Sequence, residues 1–442
     1  MTRTLASQTT LRIAGWSLLC LLAIGGGALG NVYEGAVDVA GTPVHRVRLW
    51  QALYLAGCAG YLLLLGAFRT RPPSWRTIFL AAVILRLPLL WAQPNNDCNR
   101  YVWEGRVQRL GFNPFVVGPE DPALESHRDA IWEAINKKHY TTIYPPLALL
   151  EFRLLAALRD AVKTQQVAHT ILDLAVCLAL AVFLKRRDQG AVRLAAYALC
   201  PLVLASFAHA GHNDSLMLLP LVGALAAASS AHWLRAGGLW GAAILCKIAP
   251  IVMFPLMLRR SRATVVIAAI VVVAGYALYL DAGGKLFETL YRFPAADRFN
   301  NPIHEWLSPL AFASTRNGMA IAILALAAIW RFARPADIID DARFMIALLI
   351  VLSPVVHFWY FTWILVPAMM ARRPRWIWLA VVPVQVFYWN AEYSGQIGTH
   401  WHLEHWALAV MWLPVFVAFV LDARSPGRPT GAAAAPAPPP AS

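Results

Sequence analysis

Charge is scarce in this sequence. Asp, Glu, Lys and Arg supply 14% of its 442 residues, against about a quarter in a soluble domain. Hydrophobic residues supply 59% and the mean hydropathy is +0.54. No soluble core of this length hides so much apolar surface, so lipid is the solvent for most of the chain. Acid is scarcer than base, leaving a net charge of +14. That excess reads as the positive-inside bias of a membrane protein and not as a nucleic-acid surface. Cysteine is sparse and scattered. Cys20, Cys58, Cys177, Cys200 and Cys246 lie within apolar runs, and Cys98 stands alone in a polar loop. Without a CxxC pair or a Cys/His ligand spacing, neither a disulfide framework nor a metal site is expected. A Gly-rich phosphate loop is missing, and so is the internal symmetry of an inverted-repeat transporter.

What the sequence has is long apolar runs. They fall at about 11–30, 49–68, 77–93, 165–184, 192–208, 214–231, 262–280, 315–331, 342–356, 360–371, 376–390 and 405–421. Together they predict an all-α polytopic membrane protein of about 12 transmembrane helices. The 18 Trp and 13 Tyr fit interfacial belts. The stretch 238–258 differs. Lys247 and Pro250 interrupt it and Arg235, Arg259 and Arg260 flank it, the pattern of a re-entrant hairpin. With that hairpin, the basic clusters at Arg69 and Arg71, Lys185–Arg187, Arg259–Arg262, Arg331–Arg343 and Arg372–Arg375 all fall on one side. That side is expected to be the cytoplasm, with both termini inside and 94–164, 281–314, 391–404 and the turns at His212 and His357 outside. Residues 1–423 form the membrane domain. The tail 424–442, ending APAPPPAS, is disordered by composition.

The outer loop 94–164 carries the polar residues. Asn99 to Leu110 have helical spacing, and Asp97 stands just ahead, as a helix cap or as a carboxylate held at the membrane surface. Gly111-Phe112-Asn113-Pro114 ends that helix. A second helix is expected at about 122–136, and an amphipathic stretch at 147–160 on the outer leaflet.

Asp97-x-x-Arg100-Tyr101-x-Trp103-Glu104-Gly105-Arg106, then Gly111-x-Asn113-Pro114 and Ile143-Tyr144-Pro145-Pro146-Leu147, resemble the first outer loop of bacterial membrane glycosyltransferases of the glycosyltransferase C superfamily. The likeness is to family 87 and related mannosyltransferases. Gly211-His212-Asn213-Asp214, Lys247-x-x-Pro250 and Ser353-Pro354-x-x-His357-x-Trp359-Tyr360 resemble the later signatures of the same family. The resemblance implies inverting transfer of a hexose, mannose first among them, from a polyprenyl-phosphate donor to a glycan or glycolipid acceptor. The reaction would take place on the periplasmic face of the bacterial inner membrane. It implies no cofactor, and it maps the general base onto Asp97. The sequence departs from the family pattern at Asn96, where an acid is common, and at Asn99, where a Tyr is usual.

Such a transfer needs one base for the acceptor proton, and cations or hydrogen-bond donors for the departing phosphate. The candidates for substrate contact are Arg100, Tyr101, Glu104, Arg106, Tyr144, His212, Asp214, Lys247, His357 and Tyr360. Each has a plainer reading. Asp214 suits a helix start, the histidines suit interfacial hydrogen bonding, and Lys247 suits a buried pair with a residue such as Asp173. Arg86 either snorkels outward or reaches the donor phosphate. A flippase or an envelope assembly factor is the alternative function. A flippase would spread its charges along a central pathway, whereas here they gather at one face.

Overall fold

The computed structural model describes residues 2–30, 42–372, 377–386 and 405–424. The expected outer segment 391–404, the tail beyond 424, Arg373, Arg375 and part of the run 376–390 lie outside the described residues. Among those described the chain is helical throughout and forms no strand beyond an isolated bridge between Phe299 and Val355. Within the described residues each of the twelve apolar runs overlaps helical segments. Among those residues seven helices are long and apolar enough to cross a membrane, and three shorter apolar ones accompany them.

The first three helices, α1 (Thr2–Ala28), α2 (Thr42–Thr70) and α3 (Trp75–Leu89), pack side by side. Ser74 starts α3 by accepting the Thr77 amide at 3.1 Å, the usual remedy for an orphan first-turn N–H. The loop 94–164 contributes α4 (Asp97–Arg109) and α5 (Pro146–Leu158). Gly105 lets these two cross, because a Cβ there would collide with the Phe152 carbonyl. Next come α6 (Val162–Arg186), α7 (Val192–His209) and α8 (Asp214–Ala228). The expected second loop helix at 122–136 is instead a 3-10 turn, Pro122–His127, and one short helix, Ala130–Glu133. Asp129 splits them. Its backbone is extended and its carboxylate accepts the Ile131 and Trp132 amides, which restarts the helix.

The interrupted stretch doubles back. Helix α9 (Trp233–Cys246) stops at Lys247, whose backbone is extended, and the chain returns through Ala249–Met253 and α10 (Phe254–Arg260). Trp240 Nε1 donates to the Pro250 carbonyl at 2.8 Å across the hairpin. At its open end Thr264 Oγ1 donates to the Trp233 carbonyl at 3.0 Å. Entry and exit are therefore neighbours, and Lys247 lies at the tip. Beyond follow α11 (Arg262–Tyr276), α12 (Glu288–Ala296), α13 (Ala313–Ala333), α14 (Ile338–Leu352), α15 (Thr362–Met370) and α16 (His405–Arg424).

The polar residues sort to two ends. At one end Arg260 meets Asp341 at 3.0 Å, Arg331 approaches the same carboxylate at 3.6 Å, and Arg187 donates to the Ser229 carbonyl at 2.7 Å. At the other end the loop 94–164 packs against the segment before α13. Asn113 donates to Asp281 at 2.7 Å, and Lys137 lies 2.5 Å from Asp297. Between the ends the interior is mostly apolar, and an ion pair lies buried within it. Arg86 meets Asp173 at 2.6 Å with both side chains buried, and Tyr197 donates to the same carboxylate at 2.9 Å. Arg86 therefore neither snorkels nor faces the outer end, and Asp173 is not the partner of Lys247.

Candidate active site

Asp97 opens α4 a short connection after α3 ends at Leu89. Its amide is taken by Asn95 Oδ1 at 3.0 Å, and no side-chain cap bond forms at Asn96. The Asp97 carboxylate is thus not committed to the helix end. It accepts a bond from Asn136 Nδ2 at 3.2 Å, and its other oxygen lies 3.6 Å from His212 Nδ1. The side chain is 22% exposed, so it remains reachable. Burial pushes its pKa up, against the lowering effects of the Asn136 bond and the Lys247 charge, while nearby Asp214 raises it further. A carboxylate with a raised pKa is a stronger base than an ordinary one.

The turn Gly211–Asp214 faces Asp97. Gly211 adopts φ +75°, a conformation that glycine takes without strain, and a Cβ there would meet Cys98 Sγ at 2.9 Å. His212 is fully buried and stacks on Trp359, with ring centroids 3.4 Å apart. Neither of its ring nitrogens finds a hydrogen-bond partner in the protein. Burial, and then the charge of Lys247, hold its pKa well below the ordinary value, so the ring is neutral. Asp214 is buried. Its Oδ1 accepts from Lys247 Nζ at 2.7 Å and Trp363 Nε1 at 2.6 Å, and its Oδ2 has no partner. Buried polar atoms are nearly always satisfied, so the open valences of His212 and Asp214 mark a place for a polar ligand or water.

Lys247 completes the cluster from the hairpin tip. Its ammonium lies 4.7 Å from the Tyr360 ring centre and 5.1 Å from that of Trp363, and its side chain is 21% exposed. A cation placed so deep is costly unless paired. Here one carboxylate and two aromatic faces hold it, and its partial exposure leaves room for an anion. His357 stacks on the far side of Trp359 at 4.4 Å. Burial, with Lys247 nearby, brings its pKa down to about 3. The aromatic run at 358–363 therefore lines this cluster, and does not form only a membrane belt.

The remaining expected residues form a supporting layer. Arg100 Nε donates to Glu104 at 2.6 Å, and its Nη2 donates to the carbonyls of Tyr140 and Thr141 at 2.8 and 3.1 Å. This pair braces the segment that carries Asn136 and Tyr144. Burial raises the Glu104 pKa, and Arg100 opposes the rise. Tyr101 is buried, stacked on Phe152 at 4.7 Å and edge-on to Tyr144 at 5.4 Å. Tyr144 stands at the border, within electrostatic reach of Asp97, Arg100, Glu104 and Tyr360. Arg106, about two and a half turns along α4 from Asp97, pairs with Asp129 and Asp160, each at 3.0 Å. It takes no part in the cluster.

Sequence reasoning missed Asn136, Glu151 and His169. Asn136 has no local signal. The polar residues of α6 did carry one. Gln165, Gln166, His169, Thr170 and Asp173 recur at helical spacing on a buried face, and polar residues inside an apolar run face the protein interior. Among the described residues no group of three or more His, Cys, Asp or Glu side chains is arranged to hold a metal ion.

No curated protein and no solved structure matches the chain. A family model does match, over residues 10–263, which take in Asp97, the Gly211–Asp214 turn and Lys247 but stop short of His357 and Tyr360. That model describes the N-terminal domain of alpha-(1->6)-mannopyranosyltransferases. It covers more than half of the chain, and the protein belongs to this family of mannosyltransferases.

Proposed function

We propose that the protein transfers mannose from a polyprenyl-phosphate donor to a hydroxyl of a glycan or glycolipid, on the periplasmic face of the inner membrane, with inversion and with Asp97 as general base. The observation that carries this reading is the arrangement at the outer end. A partly open carboxylate of raised pKa shares one cluster with a partly open, aromatic-walled ammonium. A hydroxyl nucleophile needs the first and a departing phosphate needs the second.

The step follows from those groups. The acceptor oxygen attacks the anomeric carbon as the bond from that carbon to the phosphate oxygen breaks. The electron pair leaves with the phosphate, and the acceptor proton passes to Asp97. The transition state has oxocarbenium character, and a polyprenyl phosphate needs no strong acid to depart. Lys247 meets the charge that develops on it, where a preoriented cation acts most strongly. The proposed inversion, taken with the α-linked product named for the family, requires a β-configured donor. Arg100 and Glu104 act by bracing the segment 136–144, and Tyr144, His357 and Tyr360 wall the sugar site.

Purified protein should transfer mannose from a short polyprenyl-phosphate β-mannose to a synthetic α-mannoside, and the new linkage should be α. The α-anomer of the donor and a nucleotide-activated mannose should both be inert. Efficient turnover with the nucleotide sugar alone would sink the proposed donor class.

A further inference from the structure

Behind the Gly211–Asp214 turn lies a buried polar pair that the transfer step does not use. His169 on α6 is 0% exposed, and its Nδ1 lies 2.7 Å from the Gly211 carbonyl oxygen. The His169 carbonyl in turn accepts the Ser215 hydroxyl at 2.8 Å, so one residue grips the turn from both sides. A carbonyl only accepts, so Nδ1 carries the hydrogen. The other ring nitrogen, Nε2, lies 3.2 Å from Glu151 Oε1 on α5. Neither Nε2 nor either Glu151 oxygen has a hydrogen-bond partner, so the 3.2 Å approach is a charge contact and not a hydrogen bond.

Proton accounting then constrains the pair. With Nδ1–H committed to Gly211, a neutral ring turns a lone pair toward Glu151, and an ionised carboxylate would answer with another. The contact is attractive only when one of the two groups carries a proton, whether as imidazolium and carboxylate or as imidazole and carboxylic acid. Both forms keep Nδ1–H on Gly211. Without Glu151 only the Gly211 carbonyl selects the tautomer, and nothing holds the ring from its Nε2 side. Gly211 leads directly into His212, which faces Asp97, and on to Asp214, which holds Lys247.

We infer that Glu151 and His169 are a positioning pair for mannosyl transfer. Their contact holds the His169 ring in the orientation that grips the Gly211 turn, and the turn fixes His212 and the Asp214–Lys247 pair against Asp97. The inference rests on the reading of Asp97 as the base. Neither residue touches substrate.

The test compares Glu151→Gln with the double variant Glu151→Leu/His169→Leu, using the purified full chain, short polyprenyl-phosphate β-mannose and a synthetic α-mannoside. Gln offers Nε2 an amide N–H and preserves the tautomer, so its kcat should stay close to wild type. The double variant replaces the charge contact with apolar groups, which often leaves stability near neutral, and the Gly211 carbonyl keeps the Cys98 thiol as a donor at 3.3 Å. Its Tm should hold, its kcat should fall about ten- to a hundredfold, the effect of a misplacement of about 1 Å, and its amides at 206–216 should exchange faster with deuterium. A double variant with wild-type kcat or unchanged exchange overturns the inference, as does a Glu151→Gln variant as slow as the double. Asp97→Asn, run alongside, separates the two readings. Normal transfer by Asp97→Asn removes the proposed base while faster exchange of the turn still supports the clamp. An inert Asp97→Asn beside a fully active double variant overturns the clamp alone.

Discussion

At the scale of single residues, Asp97 carries the heaviest assignment, and its surroundings make that assignment measurable. Burial raises its pKa. The sign of the linkage follows: as pH rises the unfolded chain releases this proton first, so ionised Asp97 costs the fold stability at neutral pH. Asp97→Asn removes that cost and retains a polar contact for Asn136. Its Tm should equal or exceed that of wild type, while transfer falls by about two to four orders of magnitude, the usual contribution of a general base. Loss of Tm together with loss of transfer would instead mark Asp97 as structural. For wild type, the rate should fall on the acid side at a pH above the ordinary Asp value of about 3.9. A rate that stays flat down to that value would show that the step does not need the ionised carboxylate. The sequence singled out Asp97 as a candidate, because an acid shortly after a span and ahead of a helical pattern has few roles. Its use as a cap was the open alternative, and in the structure its carboxylate accepts from the Asn136 side chain.

At the scale of elements, α6 shows how a membrane helix combines structure with site support. One of its faces holds Asp173 against Arg86 and Tyr197 in the apolar interior. Farther toward the outer end the same face holds His169 against Gly211. Asp173→Asn should destabilise the protein by about 3–5 kcal/mol, because it leaves Arg86 as an uncompensated buried charge. Thermal unfolding in detergent checks this, and an unchanged Tm would mean the pair adds nothing to the fold. Since the pair's hydrogen-bond partners Ala82, Ala198 and Tyr197 lie outside the Asp97 cluster, the folded fraction should transfer at the wild-type rate. The hairpin of α9 and α10 makes the complementary point. Its interruption by Lys247 and Pro250 was visible in the sequence, because a charge and a proline within an apolar run break the pattern. The partner of Lys247 was not visible. Asp214 is 33 residues away in the chain, and Asp173 was an equally reasonable choice until the helices were packed. The break at Asp129 escaped for a similar reason, since an acid near the middle of a helical pattern reads equally as a surface residue or as a new cap.

At the scale of the whole molecule, the two polar ends differ in what they do. One gathers Arg187, Arg260 and Arg331 with their partners, the distribution that favours retention on the cytoplasmic side. The other gathers Asp97, His212 and Lys247 beneath the loop 94–164, which the segment before α13 clasps through Asp281 and Asp297. A single cysteine placed at Glu120, an exposed loop position, should therefore react with a membrane-impermeant maleimide from the periplasmic side. Labelling only after the inner membrane is opened would reverse the orientation and with it the choice of a lipid-linked donor.

The sequence by itself determined that this is a helical membrane protein, where its apolar runs lie, which charges share an end and which loop carries Asp97. Those properties follow from local composition, because the bilayer acts on each segment separately and punishes every buried charge or unpaired backbone group. Only the tertiary structure decided which polar residues meet. Arg100 and Glu104 became a brace and Arg106 a loop anchor, whereas the Gly211–Asp214 turn, Lys247 at the hairpin tip and Tyr360 came together beside Asp97. Glu151 and His169 emerged only when α5 and α6 were set against the Gly211 turn. Such pairings join residues distant in the chain, and helix packing rather than spacing chooses among several partners of equal chemistry.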